Sequence, residues 1–212
     1  MFITFEGIEG SGKTTQINHI LSYLSQKGYD CVSTREPGDT RIGKKIRSIL
    51  LDPENSDLVS QAELFLYAAD RAQHISERIL PSLSEGKVVV CDRFFDATTA
   101  YQGYARGLEL STIDEIHKLV LGDLRPDLTI LFDLSPEVGL KRAWRQINDG
   151  SRSGAETRFE NEKITFHETV RDGYLKLAEK EPERFCVIDA SKEEHDVREM
   201  IEKIVDEKIK TK

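Results

Sequence analysis

Gly7-Ile8-Glu9-Gly10-Ser11-Gly12-Lys13-Thr14 sits between the apolar run Phe2-Ile3-Thr4-Phe5 and a stretch, Thr15 to Leu24, with Ile17, Ile20, Leu21 and Leu24 at helical spacing. The octapeptide fits Gly, four residues, Gly-Lys-Ser/Thr, the P-loop pattern that cradles phosphates. A flexible glycine-rich turn beside a solvated lysine would show the same letters. The flanks predict strand, loop and helix, the geometry the motif requires. Glycines let the backbone curl its N–H groups inward, and the helix N-terminus adds the positive end of its dipole. On this reading Gly7, Gly10, Ser11, Gly12, Lys13, Thr14 and Thr15 hold a nucleoside triphosphate. Lys13 reaches the β- and γ-phosphates, and the Thr14 hydroxyl serves Mg²⁺.

Outward from this loop, four further short apolar runs alternate with helical patterns: Asp30 to Thr34, Lys87 to Cys91, Leu128 to Phe132 and Phe185 to Ile188. That alternation predicts an α/β fold, a five-stranded parallel sheet with helices on both faces. Ligands of such sheets bind beyond the carboxyl ends of the strands. Those positions hold the P-loop, Arg35-Glu36-Pro37-Gly38, Asp92-Arg93, Asp133 and Asp189-Ala190-Ser191. Asp133 and Asp189 read equally as helix N-caps.

With 212 residues the chain is expected to form one domain, residues 1–212. A net charge of −8 argues against a nucleic-acid polymer as the main partner, because such binding rests on a basic footprint. Met1 leads directly into a strand and no run approaches the length of a membrane span, so a cytoplasmic protein without a membrane partner is expected. Cys31, Cys91 and Cys186 are too few and too dispersed for a zinc site and read as reduced core residues. The five histidines show no ligand-like spacing, and none is assigned a role.

Leu58 to Leu80 reads as a helix whose core stripe is Gln61, Phe65, Ala68, Ala72, Ile75 and Ile79. Glu63, Tyr67 and Arg71 fall on another face. A ring one turn from a guanidinium could stack a flat base and donate to its carbonyl edge, or could be a half-buried Tyr beside a surface Glu–Arg pair. Val138 to Ile147, with Arg142 and Arg145, runs into the loop-forming stretch Asn148-Asp149-Gly150-Ser151-Arg152-Ser153-Gly154, and Arg158 follows. This is the pattern of a lid closing over a nucleotide, and equally of a charged exposed hairpin.

The Asn-Lys-x-Asp and Asp-x-x-Gly signatures of a GTPase are absent. Asp92, ending an apolar run, is placed to support Mg²⁺, while Arg35, Arg71 and Arg93 could accept a phosphorylated substrate opposite the triphosphate. A monophosphate acceptor needs no general base, since its oxygen is already anionic, so alignment and charge stabilisation carry the reaction.

Phe5-Glu6-Gly7-Ile8-Glu9-Gly10-Ser11-Gly12-Lys13-Thr14-Thr15, Arg35-Glu36-Pro37-Gly38, Ala68-Ala69-Asp70-Arg71, Asp92-Arg93-Phe94, Ala100-Tyr101-Gln102-Gly103, Arg125-Pro126-Asp127-Leu128-Thr129 and Arg158-Phe159-Glu160 together resemble the bacterial thymidylate kinases over essentially the whole chain. The resemblance implies the P-loop nucleoside monophosphate kinase fold with a mobile lid. It implies transfer of the ATP γ-phosphoryl group to dTMP with Mg²⁺, and a homodimer. It places the P-loop at 7–14, acceptor binding at about 35–75 and the lid at about 142–158. Glu9 would lie near the deoxyribose 3′-hydroxyl and Arg93 would hold the acceptor phosphate. Tyr67 would stack on thymine, Arg71 would donate to its carbonyl, and Gln102 would line the pocket with Arg35 and Thr98. Tyr101 would crowd the ribose 2′ position. Because Glu9-Gly10-Ser11 carries no arginine, the catalytic charge would come from Arg142, Arg145 or Arg152, with Arg158 on the ATP side. Two departures are visible: Asp39 stands at the second Gly of the usual Glu-Pro-Gly-Gly-Thr, and Ala97-Thr98 replaces Ser-Ser.

Overall fold

The computed structural model describes residues 1–151 and 153–210. Arg152, one of the lid arginines named above, lies outside the described residues. The chain runs β1 (Phe2–Gly7), α1 (Lys13–Gln26), β2 (Cys31–Arg35), α2 (Arg41–Leu51), α3 (Ser60–His74), a π-helical turn (Ile75–Ile79) and α4 (Leu80–Ser84). It continues through β3 (Val88–Asp92), α5 (Phe95–Thr98), a second π-helical turn (Thr99–Ala105), α6 (Leu110–Leu121), β4 (Leu128–Asp133), α7 (Pro136–Asn148), α8 (Ile164–Lys180), β5 (Phe185–Asp189) and α9 (Glu194–Lys210). All five expected strands form one parallel sheet in the order β2-β3-β1-β4-β5. The chain leaves β1 toward one edge and later returns past it to the other, so the loop after β1 opens at the reversal point of the sheet.

β1 is buried along its length because apolar layers cover both faces. Ile3 and Phe5 join Ile17, Ile20, Leu24 and Ile130 on one face, while Phe2 joins Ile79, Val89, Phe94 and Phe95 on the other. The edge strands are less covered, which corrects the expectation for the cysteines. Cys91 on β3 is buried, whereas Cys31 on β2 and Cys186 on β5 are partly exposed, and all three are free thiols. No helix among the described residues is long and apolar enough to cross a membrane.

The expected core stripe of α3 is also corrected. Gln61, Phe65 and Ala72 are exposed, and the buried face carries Glu63, Leu64, Ala68, Asp70, Arg71 and His74. Apolar letters did not mark the inward face because that face is built from charges that pair across the interior.

Candidate active site

A cleft of about 610 Å³ opens at the carboxyl ends of β1, β2 and β3. Its floor is the P-loop, whose glycines have separate reasons. Gly10 has φ +67°, and a Cβ there would stand 2.0 Å from the Gly139 carbonyl of α7; Gly7, at φ +136°, would meet the Phe132 carbonyl at 2.6 Å. Gly12, at φ +93°, faces open space and begins α1 without a side-chain cap. The first-turn N–H groups of α1 are therefore turned toward the cleft, the arrangement that suits a phosphate. Lys13 Nζ donates to the carbonyls of Gly7 and Ile8, both at 2.9 Å, and to Ser11 Oγ at 3.2 Å. Burial, then the Arg93 charge, lowers its pKa to about 8. Thr14 and Thr15 are exposed at the mouth.

Opposite this cradle stands Arg93, a non-glycine residue at φ 66°. Its Nη2 donates to Glu9 Oε1 at 2.9 Å and its Nη1 to the Tyr174 hydroxyl at 3.2 Å, with the guanidinium 5.0 Å from the Tyr101 ring centre. The Tyr101 hydroxyl donates to the same Glu9 oxygen at 2.6 Å. Burial would raise the Glu9 carboxyl, but Arg93 overrides it and holds the group well below the usual carboxylate range. Beneath, the Tyr174 hydroxyl donates to Glu6 Oε2 at 2.7 Å, and burial with the nearby Asp96 pushes Glu6 up to about 8.

Further along the cleft, Arg71 is 1 % exposed yet lines the wall. Its Nε donates to Glu36 Oε2 at 2.8 Å, and its Nη2 to Thr98 Oγ1 at 2.9 Å and the Phe94 carbonyl at 3.3 Å. Gln102 Nε2 donates to Glu63 Oε1 at 2.6 Å. The half-buried Tyr67 and the exposed Arg35 line the same cleft. Glu63 does not pair with Arg71, so the surface ion pair offered as an alternative reading is absent. The cleft thus brings together Glu9, Arg35, Tyr67, Arg71, Arg93, Thr98, Tyr101 and Gln102 with the P-loop.

Other expected residues fall elsewhere. Arg158 was expected on the ATP side, but it is buried against Glu63 and the Leu50 carbonyl, behind the Tyr67 end of the cleft. Arg142 Nη1 donates to the Ala190 carbonyl at 3.2 Å, and Arg145 is exposed near the end of α7. The lid expected over 142–158 therefore begins as ordinary helix. Beyond it, Glu156 grips Arg47 of α2 through paired bonds of 2.9 and 2.7 Å, so the segment is tied across the cleft. Asp133 pairs with Arg171, Asp189 closes a turn onto Ser191, and Ser135 rather than Asp133 caps α7.

Sequence reading missed two histidines. His167 Nδ1 stands 3.2 Å from Glu9 Oε2, and His74 Nδ1 stands 2.8 Å from Glu36 Oε1; both rings are buried. Their partners lie far away along the chain, so no local spacing could flag them. Glu6 carried a better signal, being an acid within a strand that is buried along its whole length.

Comparison with known proteins gives a consistent result. The family model for thymidylate kinase matches residues 5–201. A thymidylate kinase of Desulfosudis oleivorans is 60% identical over 190 residues, 90% of this chain and 89% of the relative. That of Desulforapulum autotrophicum is 63% identical over 190 residues, 90% of this chain and 84% of the relative. The crystal structure of thymidylate kinase from Ehrlichia chaffeensis matches with a TM-score of 0.76 at 36% identity, covering 97% of this chain and 98% of that one.

Proposed function

The chain belongs to the thymidylate kinase family, and we propose that its cleft divides into an ATP side built on Lys13 and a dTMP side built on Arg93. The reaction is transfer of the ATP γ-phosphoryl group to dTMP, giving dTDP and ADP in dTTP synthesis. The observation that carries the division is that Lys13, at the start of α1, and Arg93, directly after β3, line one cleft.

In this reading the P-loop amides and Lys13 hold the donor phosphates, and Arg93 holds the acceptor phosphate as Tyr67 stacks on thymine and Arg71 donates to its carbonyl. Glu9 accepts from Arg93 and Tyr101 through Oε1 while its Oε2 stands 3.2 Å from His167 Nδ1, so a fixed carboxylate borders the space assigned to the acceptor sugar. Tyr101, fixed by its bond to Glu9, fills the neighbouring space where a ribose would carry a 2′-hydroxyl. The acceptor phosphate oxygen attacks directly, so the side chains need only align two anions and offset their repulsion.

Asp92 Oδ1 is buried and unpartnered among the described residues. A hard carboxylate oxygen lining the same cleft as the Thr14 hydroxyl fits the habit of Mg²⁺, which takes one or two carboxylates and completes its shell with water and phosphate. Thr14 and Asp92 would hold the ion, which when bound neutralises charge on the donor phosphates.

The lid is the source assigned to the remaining cation. Alanine replacements of Arg142, Arg145 and Arg152, made separately, are expected to lower kcat about 10²- to 10³-fold in at least one case. Unchanged kcat in all three would remove the lid from the mechanism. The proposal also includes a cytoplasmic homodimer. Phe65 on α3 and Leu119 on α6 are 62% and 85% exposed, an arrangement suited to burial against a second copy. Sedimentation should give the mass of two chains, and Phe65→Glu with Leu119→Glu should halve it; a single-chain mass for the unaltered protein would contradict the dimer.

A further inference from the structure

Behind Arg71 lies a line of polar groups that no substrate contact requires. Glu36 accepts from Arg71 Nε through Oε2, and its Oε1 stands 2.8 Å from His74 Nδ1. His74 is fully buried, and its Nε2 is hydrogen-bonded to Thr34 Oγ1. The Thr34 hydroxyl donates to Asp39 Oδ2 at 2.8 Å, and the same oxygen accepts from Arg78 Nε at 3.0 Å near the surface. The line runs Arg71, Glu36, His74, Thr34, Asp39, Arg78. Asp39 is the residue that departs from the glycine of the resembled pattern.

Counting hydrogens fixes the line. Thr34 has one hydroxyl hydrogen, and Asp39 takes it. The hydrogen between Thr34 and His74 must then come from Nε2. On the other side Nδ1 faces Oε1 of Glu36, whose Oε2 accepts from Arg71 Nε, and a carboxylate that accepts at both oxygens takes the hydrogen of Nδ1. This bonding pattern has both ring nitrogens donating, with His74 clamped between Glu36 and Thr34. Asp70 is the further acid near this cluster, hydrogen-bonded to the Gly38 amide, and burial followed by Glu36 pushes it up to about 6. With no acceptor at position 39, the Thr34 hydrogen is free to turn to Nε2. The ring then needs only one hydrogen, and Glu36 loses its second cationic partner.

We propose that Asp39 is a remote positioning residue for Arg71, acting through Thr34, His74 and Glu36 by fixing both hydrogens on the His74 ring. The inference rests on the reading of Arg71 as the donor to thymine. It also gives the Asp39 departure a physical role that sequence alone did not supply.

The test uses the full chain labelled with ¹⁵N-histidine, with the His74 signals assigned by their loss in His74→Gln. The unaltered protein and Asp39→Asn, which keeps an oxygen acceptor, should show two protonated ring nitrogens; Asp39→Ala should show one. In parallel, Asp39→Ala should raise the dTMP KM about threefold to tenfold, the size of one lost hydrogen bond. Asp39→Asn should leave it unchanged, and the ATP KM should hold in both. Position 39 is in a partly exposed loop, and retained thermal melting of the alanine variant verifies folding. A neutral His74 in the unaltered protein overturns the proposal. So does an unmoved dTMP KM in Asp39→Ala when Arg71→Ala raises it. If Arg71→Ala itself leaves the dTMP KM unchanged, the reading of Arg71 falls and the positioning role with it, while the ring signals still report the hydrogen placement independently.

Discussion

Lys13→Ala should lower kcat about 10²- to 10³-fold while dTMP binding stays close to that of the unaltered protein. In the free site the ammonium is folded onto two loop carbonyls and Ser11, all within 3.2 Å. It is held at the edge of the cradle, and a triphosphate offers it stronger, charged acceptors. Alanine removes that cation from the transferring group, whereas the acceptor wall, carried by β3, α3 and the second π-helical turn, keeps its own bonds. Protonation gives an independent check. Burial lowers Lys13 to about 8, so the free enzyme loses the cation as pH rises through that value. The profile of kcat/KM for ATP should fall on its alkaline side there, since this ratio reports groups of the free enzyme. Lys13→Arg should lack that limb, because a guanidinium does not titrate in the range.

Arg93→Gln should have the second large effect, a loss of about 10²- to 10⁴-fold in kcat/KM for dTMP, measured as initial rates of ADP release. Two hydrogen bonds to a charged partner, at about 1.5 to 3 kcal/mol each, set that range. The position is unusually constrained: φ is 66°, Glu9 and Tyr174 grip the two Nη atoms, and Tyr101 covers one side of the plane. Arg93→Lys should recover little, since an ammonium cannot reproduce the fork that these partners and a phosphate share. In Arg93→Gln the charge holding Glu9 down is gone, burial acts unopposed by it, and the Glu9 carboxyl rises.

The fold was legible because the central strands of a parallel sheet are covered on both faces and read as unbroken apolar runs. Phe2 to Phe5, Val88 to Cys91 and Leu128 to Phe132 needed no partner information. The P-loop was equally legible, since Gly7, Gly10, Gly12 and Lys13 are close in sequence and the three glycines all take positive φ. The cleft wall around Arg71 was not. α3 turns Glu63 and Arg71 inward and leaves Phe65 outside, because their polar partners are Glu36 just after β2, Gln102 on the second π-helical turn and Arg158 after α7. Arg158 was equally hard to place: a basic residue near a loop suggests phosphate, whereas its partner in the structure is an acid 95 positions away. His74 and His167 had no signal at all, since each is defined by a carboxylate on another element.

The central claim is that one cleft has two independent halves, with ATP on Lys13 and dTMP on Arg93. Calorimetric titration of each nucleotide alone into Lys13→Ala and Arg93→Gln tests it most directly. The account predicts a crossed result: Lys13→Ala weakens ATP and spares dTMP, and Arg93→Gln weakens dTMP and spares ATP. Equal weakening of both nucleotides by both variants, or the reverse assignment, would contradict it.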